Sequence, residues 1–359
     1  MTSAALLETF VSLTVQVSLL VGVAAWFVRK QEFRDSSDAC WAMLHVCILA
    51  LTCGAFFLPH IRVITWADLQ PAESSLLVDQ TISMAGRICA WIWATGAVAI
   101  IAVCVGGIIR GVRLVRCATI DPLMGRSLCE AWPALSSAPQ RIEIRMLSGG
   151  ISPFCWQMHR PVILLPEILR DFPAAEQSAI IQHELAHLRR QHPLHLFLQR
   201  LVEAVYWYHP LVWWASRQAA AAREFRCDRD VVASDVEVAD YLRSLLRLIE
   251  SRVKSPSRLP AGIGFLGDRS LLSRRANILA SSLERAREPR SGWRAVLSLM
   301  MAAVVCAVVW LPINPDASRR SDWSPWPGWT AGALNVTGVV VRDYEIDGHR
   351  LRPNIHRHE

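Results

Sequence analysis

Four windows of the chain, at about 9–28, 39–59, 88–109 and 293–313, are apolar over enough residues to cross roughly 30 Å of hydrocarbon as helices. The first, TFVSLTVQVSLLVGVAAWFV, has no basic stretch before it and no small-residue cleavage site after it, so it reads as a retained anchor and not as a removed signal peptide. For the second, which carries His45 and three cysteines, a buried core helix is the competing reading. Trp26, Trp91, Trp93, Trp293 and Trp310 stand near window ends, where an interfacial belt and core packing are both open.

Between the third and fourth windows the pattern changes to that of a mixed globular domain. RIEIRMLS (141–148) alternates as a strand does, ISPF follows a Gly-Gly turn, and RPVILLP (160–166) is a β-branched run closed by Pro166, so a small sheet is predicted. Asp171 and Pro173 then offer a cap and a first-turn proline for a helix of about 18 residues, AAEQSAIIQHELAHLRRQ, whose apolar stripe is Ile181, Leu185 and Leu188 and which Pro193 ends. The long apolar stretch 194–232 is broken or kinked at Pro210. Arg200, Glu203 and His209 interrupt its 196–216 part, which favours a helix packed on its predecessor or lying at the membrane surface over a fifth span. A helix ASDVEVADYLRSLLRLIESR, a Pro/Gly-bearing stretch at 255–268 and a helix SLLSRRANILASSLERAR leading back to the membrane follow. Near the end, LNVTGVVVRDYEIDG looks like one or two strands. The organisation expected is a membrane domain at 1–109, a globular domain at 110–292, a fourth transmembrane helix at 293–313 and a short tail at 314–359.

Composition agrees with a membrane protein. Hydrophobic residues are 52% of the 359 and charged ones 19%, with a mean hydropathy of +0.26, which excludes a disordered chain. Ten cysteines with no C-x-x-C pair are too sparse for a disulfide-stapled secreted scaffold. The whole of the +7 net charge falls between 110 and 292, where 26 basic residues meet 18 acidic ones. Those arginines are scattered through apolar and acidic sequence without a groove-reading motif, so no direct nucleic-acid partner is expected. Membrane topology explains the asymmetry better. Arg29, Lys30 and Arg34 follow the first window, Arg110, Arg113 and Arg116 the third, and Arg285, Arg287, Arg290 and Arg294 crowd the start of the fourth. The positive-inside rule then places the N-terminus, the 60–87 loop and the tail outside, with 110–292 in the cytoplasm.

The sharpest chemical signal is His183-Glu184-Leu185-Ala186-His187. Residues four apart stand one above the other on a helix, so the two imidazoles can share one Zn²⁺ while Glu184, beside the open coordination position, can take a proton from water activated there. Downstream, Glu224 and Asp228 are also four apart on one face. The first can supply a third ligand and the second can accept a hydrogen bond from a ligating histidine; a solvated charged face is the alternative, since arginines alternate with these acids. His192, His195 and His209 read as hydrogen-bonded structural histidines more readily than as ligands, Cys227 as a small buried residue, and the terminal His349, His356 and His358 as a solvated tail. For Trp207, Trp213 and Trp214 packing is the default.

Taken together, SPF at 152–154, RPVILLP at 160–166, HELAHLRR at 183–190, WYHPLVWW at 207–214 and the E-x-x-C-D of 224–228 resemble the BlaR/MecR-type membrane metallopeptidases, bacterial sensor-transducer proteases that relieve repression by small DNA-binding repressors. The resemblance is close over about 150–232. It implies a mostly α, four-span protein of the bacterial inner membrane with an inserted cytoplasmic α+β, gluzincin-like zinc protease domain. It also implies one Zn²⁺ held by His183, His187 and Glu224, with Glu184 as general base and Asp228 as an outer-shell residue. A protein substrate follows, expected to be a small winged-helix repressor or the chain itself, so that the protein acts as an antirepressor in signal transduction. A non-catalytic zinc-containing transducer and a broad-specificity quality-control protease are the rivals. Two departures stand out. Where the family commonly has an Asp after the basic pair, this chain has Gln191-His192-Pro193. The tail shows no penicillin-binding domain, and its S-x-x-K nucleophile has no counterpart beyond the coincidental Ser251-Arg252-Val253-Lys254, so β-lactam sensing is not expected. The sequence carries no signal of oligomeric state.

Overall fold

The computed structural model describes residues 3–30, 37–65, 72–121, 142–148, 153–157, 160–234, 236–254, 274–275, 279, 293–313 and 325–341. The expected helix at 270–287, the loop at 255–268 and the strand residues after 341 lie outside these, apart from Arg274, Arg275 and Leu279. The chain is mostly helical and divides into two compact units, one formed by Met1–Ile100, Val202–Ala215 and Arg290–Glu359, the other by Ile101–Leu201 and Ser216–Pro289.

In the first unit, α1 (Ser3–Arg29) and α2 (Ser37–Gly54) pack on each other and on a later helix, Trp293–Val308. Val17, Leu20, Ala24, Leu44, Ile48, Leu51 and Leu299 are buried, while Leu19, Trp26 and Val304 stay exposed. Such an outward apolar surface suits lipid better than water. Strand β1 (Ile61–Arg62) pairs in parallel with Val309–Trp310. Helix α3 (Ala72–Cys117) begins here and runs on into the second unit. Three helical stretches, Ala5–Arg29, Ser37–Gly54 and Gln80–Cys117, are long and apolar enough to cross a bilayer. The fourth expected window differs: among the described residues it is helical only over Trp293–Val308, because its last residues leave the helix to pair with β1. The turn at 206–209 packs among these helices. Tyr206 hydroxyl is 2.7 Å from Thr52 Oγ1, Tyr208 stacks on Phe10 and His209 Nε2 is 3.2 Å from Ser18 Oγ. Trp207 lies against Gly96 of α3, where any Cβ would overlap its ring.

The second unit is built on a four-stranded sheet of β2 (Thr119–Ile120), β3 (Glu143–Leu147), β4 (Phe154–Trp156) and β5 (Val162–Pro166), in the order β2-β3-β5-β4. β3 and β5 are parallel; β2 and β4 flank them antiparallel. Every β5 residue is buried because both faces are covered. Ile163 and Leu165 face α4 (Ala174–Arg189), packing with Met146, Leu169, Ile180, Ile181 and Leu188, while Val162 and Leu164 meet Val115 and Ala118 at the end of α3. The alternation along β5 thus sends one side chain set to each helix. Trp156 of β4 lies against Gly111 of α3. After α4 come α5 (His192–Val205), α6 (Pro210–Val232) and α7 (Val238–Lys254). α7 packs on α4 through a cluster of Ala179, Val231, Tyr241, Leu245 and Leu279.

Several boundaries differ from the sequence expectation. Asp171 belongs to a 3₁₀ turn, Glu167–Asp171, and Pro173 itself occupies the N-cap of α4 without a side-chain cap. α4 ends at Arg189 because Gln191 adopts a left-handed φ of 54°; Pro193 therefore does not end it but sits in the first turn of α5, where its missing N–H costs nothing. The chain-end strands are corrected too. Helix α8 (Trp293–Val308) is followed by β6 (Val309–Trp310), and then Gly328–Val336 forms a helix, α9. Gly338 (φ 91°) reverses the chain, and Asn335 clasps Val341 through both its amide groups at 2.9 and 3.0 Å, so the β-branched run gains side-chain bonds where a ladder partner was expected.

Candidate metal centre

His183, Glu184, His187, Glu224 and Asp228 all lie in the second unit. The 3.6-residue period of α4 puts His183 and His187 one turn apart with their Nε2 atoms 3.2 Å from each other. α6 brings Glu224 opposite them, Oε2 at 3.5 Å from His183 Nε2 and Oε1 at 3.5 Å from His187 Nε2. Three donors some 2.0–2.2 Å from a tetrahedral zinc ion stand roughly 3.3–3.5 Å apart, so these side chains fit that ion in both chemistry and spacing. His183 and Glu184 are each 7% exposed, which keeps bulk water from competing for the donors.

Asp228, one turn beyond Glu224, is 3.4 Å from His183 Nδ1. It is not alone there. Tyr241 of α7 donates its hydroxyl to Asp228 Oδ1 at 2.6 Å and lies 2.8 Å from His183 Nδ1. Arg275 spans both acids, with Nε and Nη2 donating to Asp228 at 2.8 and 2.6 Å and Nη1 3.1 Å from Glu224 Oε2. Glu184 turns toward the sheet, where the Cys155 thiol of edge strand β4 lies 3.1 Å from its Oε2 and 2.9 Å from its carbonyl. Tyr241, Arg275 and Cys155 have no counterpart in the sequence reading. Tyr241 is 13 residues from Asp228 and Arg275 is 47, so no helical period links them to the motif.

On its other side His187 presents Nδ1 to His192 Nδ1 at 2.9 Å, and Cys227 Sγ is 3.4 Å from the same His192 atom. His183/His187/Glu224 and His187/His192/Cys227 are thus both groups with metal-ligating atoms in mutual reach.

Burial opposes charge on every member, and the neighbours overcome it at some and not at others. Burial lowers His183, yet the Asp228 and Glu224 contacts carry it up to about 9. His187, where burial outweighs the pull of Glu224, falls to about 4. Burial would raise Glu224 and Asp228, but the Arg275 guanidinium and the histidines hold both below the usual carboxylate range, Glu224 well below it. Glu184 is held above that range, by burial first. A carboxylate that is easily protonated, next to one that is not, gives two acids fit for different work.

The family of the BlaR1 peptidase M56 matches residues 11–279, three quarters of the chain. The chain belongs to the BlaR1 peptidase M56 family. Its matched region contains α1 from residue 11 onward, α2 to α7 and every residue of the cluster just described. Over 77 residues the chain is also 38% identical to the regulatory protein BlaR1 of Bacillus licheniformis. That stretch is 21% of this chain and 13% of the relative, so the chain matches only a small part of that protein's length.

Proposed function

We propose that this M56-family chain is an integral membrane zinc-dependent endopeptidase. It cuts a peptide bond in a cytoplasmic regulatory protein, with a transcriptional repressor as the expected substrate, or in itself during signal transduction. The observation that carries the reading is the convergence of His183 Nε2, His187 Nε2 and the Glu224 carboxylate within 3.5 Å, with Glu184 in the next position along the helix. His183, His187 and Glu224 would hold one zinc ion, which when bound supplies Lewis acidity toward water and the scissile carbonyl. Glu184 accepts the proton of the attacking water and returns it to the leaving amine; a carboxylate raised by burial is suited to both halves of that task. Asp228, held by Arg275 and Tyr241, orients His183 from behind.

For the substrate, β4 pairs only with β5 among the described residues and carries Cys155 against Glu184. An extended peptide adding to that edge would bring its carbonyl alongside the base. The arginines after the first and third apolar windows and before the fourth support four spans, with residues 110–292 on the cytoplasmic side of the bacterial inner membrane and both chain ends outside.

The test compares the proteomes of cells carrying the wild-type chain and Glu184→Gln, with zinc content measured on both purified proteins. The proposal expects equal zinc and the loss of one or a few cleavage products. Unchanged processing with metal retained would support a non-catalytic transducer, and loss of many unrelated products a quality-control protease.

A further inference from the structure

The turn after α4 does what a continuous helix cannot. His192 is five residues past His187, and on an uninterrupted helix it would stand about 140° around the axis, facing away from it. Instead Arg190 N–H closes the helix on Ala186 O at 3.1 Å, Gln191 takes its left-handed φ of 54°, and the N–H groups of Leu194 and His195 start α5 on Gln191 O. The reversal lays the His192 ring edge-on to that of His187, centroids 4.9 Å apart at 74°. A left-handed conformation costs a non-glycine residue roughly 1–2 kcal/mol, and such strain persists where surrounding structure over-determines it. What this turn delivers is one contact: His192 Nδ1 at 2.9 Å from His187 Nδ1, with His192 itself 4% exposed.

We propose that His192 is a positioning residue for the metal ligand His187. It accepts the Nδ1–H of His187, and this fixes the tautomer in which the His187 lone pair lies on Nε2, the atom that faces His183 and Glu224. His183 has Asp228 and Tyr241 behind it; His192 does the same for the second histidine, in the place where the resemblance leads one to expect an acid. The inference rests on the zinc reading of the previous section. The alternative, a second soft-metal site of His187 Nδ1, His192 Nδ1 and Cys227 Sγ, would require His187 to bridge two ions as an imidazolate. The 2.9 Å between the nitrogens is also a hydrogen-bond length, shorter than the roughly 3.3 Å between nitrogens on one tetrahedral ion.

The experiment measures zinc affinity by chelator competition, and zinc stoichiometry, on the full chain in detergent in a Glu184→Gln background. His192→Leu removes the acceptor and should weaken zinc about 10- to 100-fold. His192→Asn, whose Oδ1 takes the place of Nδ1, should restore affinity to within a few-fold. Cys227→Ser should leave one ion bound at unchanged affinity. If the leucine variant does not fold, by far-UV circular dichroism of the zinc-free protein, His192→Ala takes its place. Equal affinity in wild type and His192→Leu overturns the proposal while leaving the zinc site standing. Two ions in wild type, one of them lost in both His192→Leu and Cys227→Ser, overturns it in favour of the second metal site. No zinc binding by the wild type overturns the metal reading itself.

Discussion

Arg275 grips Asp228 with two parallel hydrogen bonds, Nε to Oδ2 at 2.8 Å and Nη2 to Oδ1 at 2.6 Å, in a place where the two side chains are 1% and 2% exposed. Paired charges this deep are stabilising only while both are present. Arg275→Met should leave Asp228 buried with the Tyr241 hydroxyl and take away the cation beside Glu224, costing about 3–5 kcal/mol. Because a bound divalent cation would offset part of the lost positive charge, the cost should be smaller with zinc than without it. Denaturant unfolding with and without zinc checks both points; an unchanged zinc-free midpoint would refute the first.

Tyr241→Phe is a finer probe, since it deletes one oxygen and keeps the ring. The hydroxyl serves Asp228 and His183 together, and Arg275 Nη2 donates to it at 3.1 Å, so its loss leaves partners unmatched in a buried network. The expected result is about 1–3 kcal/mol of destabilisation and a zinc affinity lowered roughly 10-fold, the size typical of outer-shell partners. Zinc competition on the purified variant reads it. An affinity equal to wild type would show that Asp228 alone orients His183.

How legible this site was depends on distance along the chain. His183, Glu184 and His187 announce themselves because a helix turns every 3.6 residues, and Glu224 with Asp228 repeats the rule on a second helix. What brings α6 and α7 to α4 is the packing of Ala179, Val231, Tyr241 and Leu245, and no short pattern encodes that. Neither Tyr241 nor Arg275 therefore carried a signal of its own in the sequence. His192 was read as a structural histidine; its contact with His187 depends on the left-handed Gln191, which residue type does not advertise. The core of the sheet was readable in its β-branched runs, whereas the terminal LNVTGVVV segment had strand composition but formed a helix and a turn, composition being a weak guide where no partner strand fixes it.

The sheet edge is held by one close approach. An added Cβ at Gly111 would sit 2.6 Å from Trp156 Cζ3, so α3 and β4 meet there with no room for a side chain. Gly111→Val should force Trp156 to move and cost about 1–3 kcal/mol of overpacking strain. Trp156 follows Cys155, which borders Glu184, so the proposed hydrolysis should fall as well. Zinc affinity should not, because the three proposed ligands sit on α4 and α6. Cleavage rate and zinc affinity measured on the same preparation separate these; a matching loss of both would mean the helices had shifted too.

Gln191 offers a test of the turn itself, independent of the imidazole it delivers. Glycine adopts the left-handed region freely, so Gln191→Gly relieves the strain; against that, it gives the unfolded chain about 0.4–1 kcal/mol of extra conformational freedom. The relief is the larger of the two, so stability should match wild type or exceed it by up to about 1 kcal/mol, and zinc affinity should stay close to wild type. Proline, locked near φ −65°, cannot take the conformation at all. Gln191→Pro should swing His192 off His187 and weaken zinc by about as much as His192→Leu does, although none of the proposed ligands has changed. One substitution allows the left-handed φ and the other forbids it, and proline also removes the Gln191 N–H that donates to Leu188 O at 3.0 Å; neither touches the imidazole, so together they separate backbone geometry from side-chain chemistry. If glycine and proline gave the same zinc affinity, the left-handed turn would have no part in holding His187.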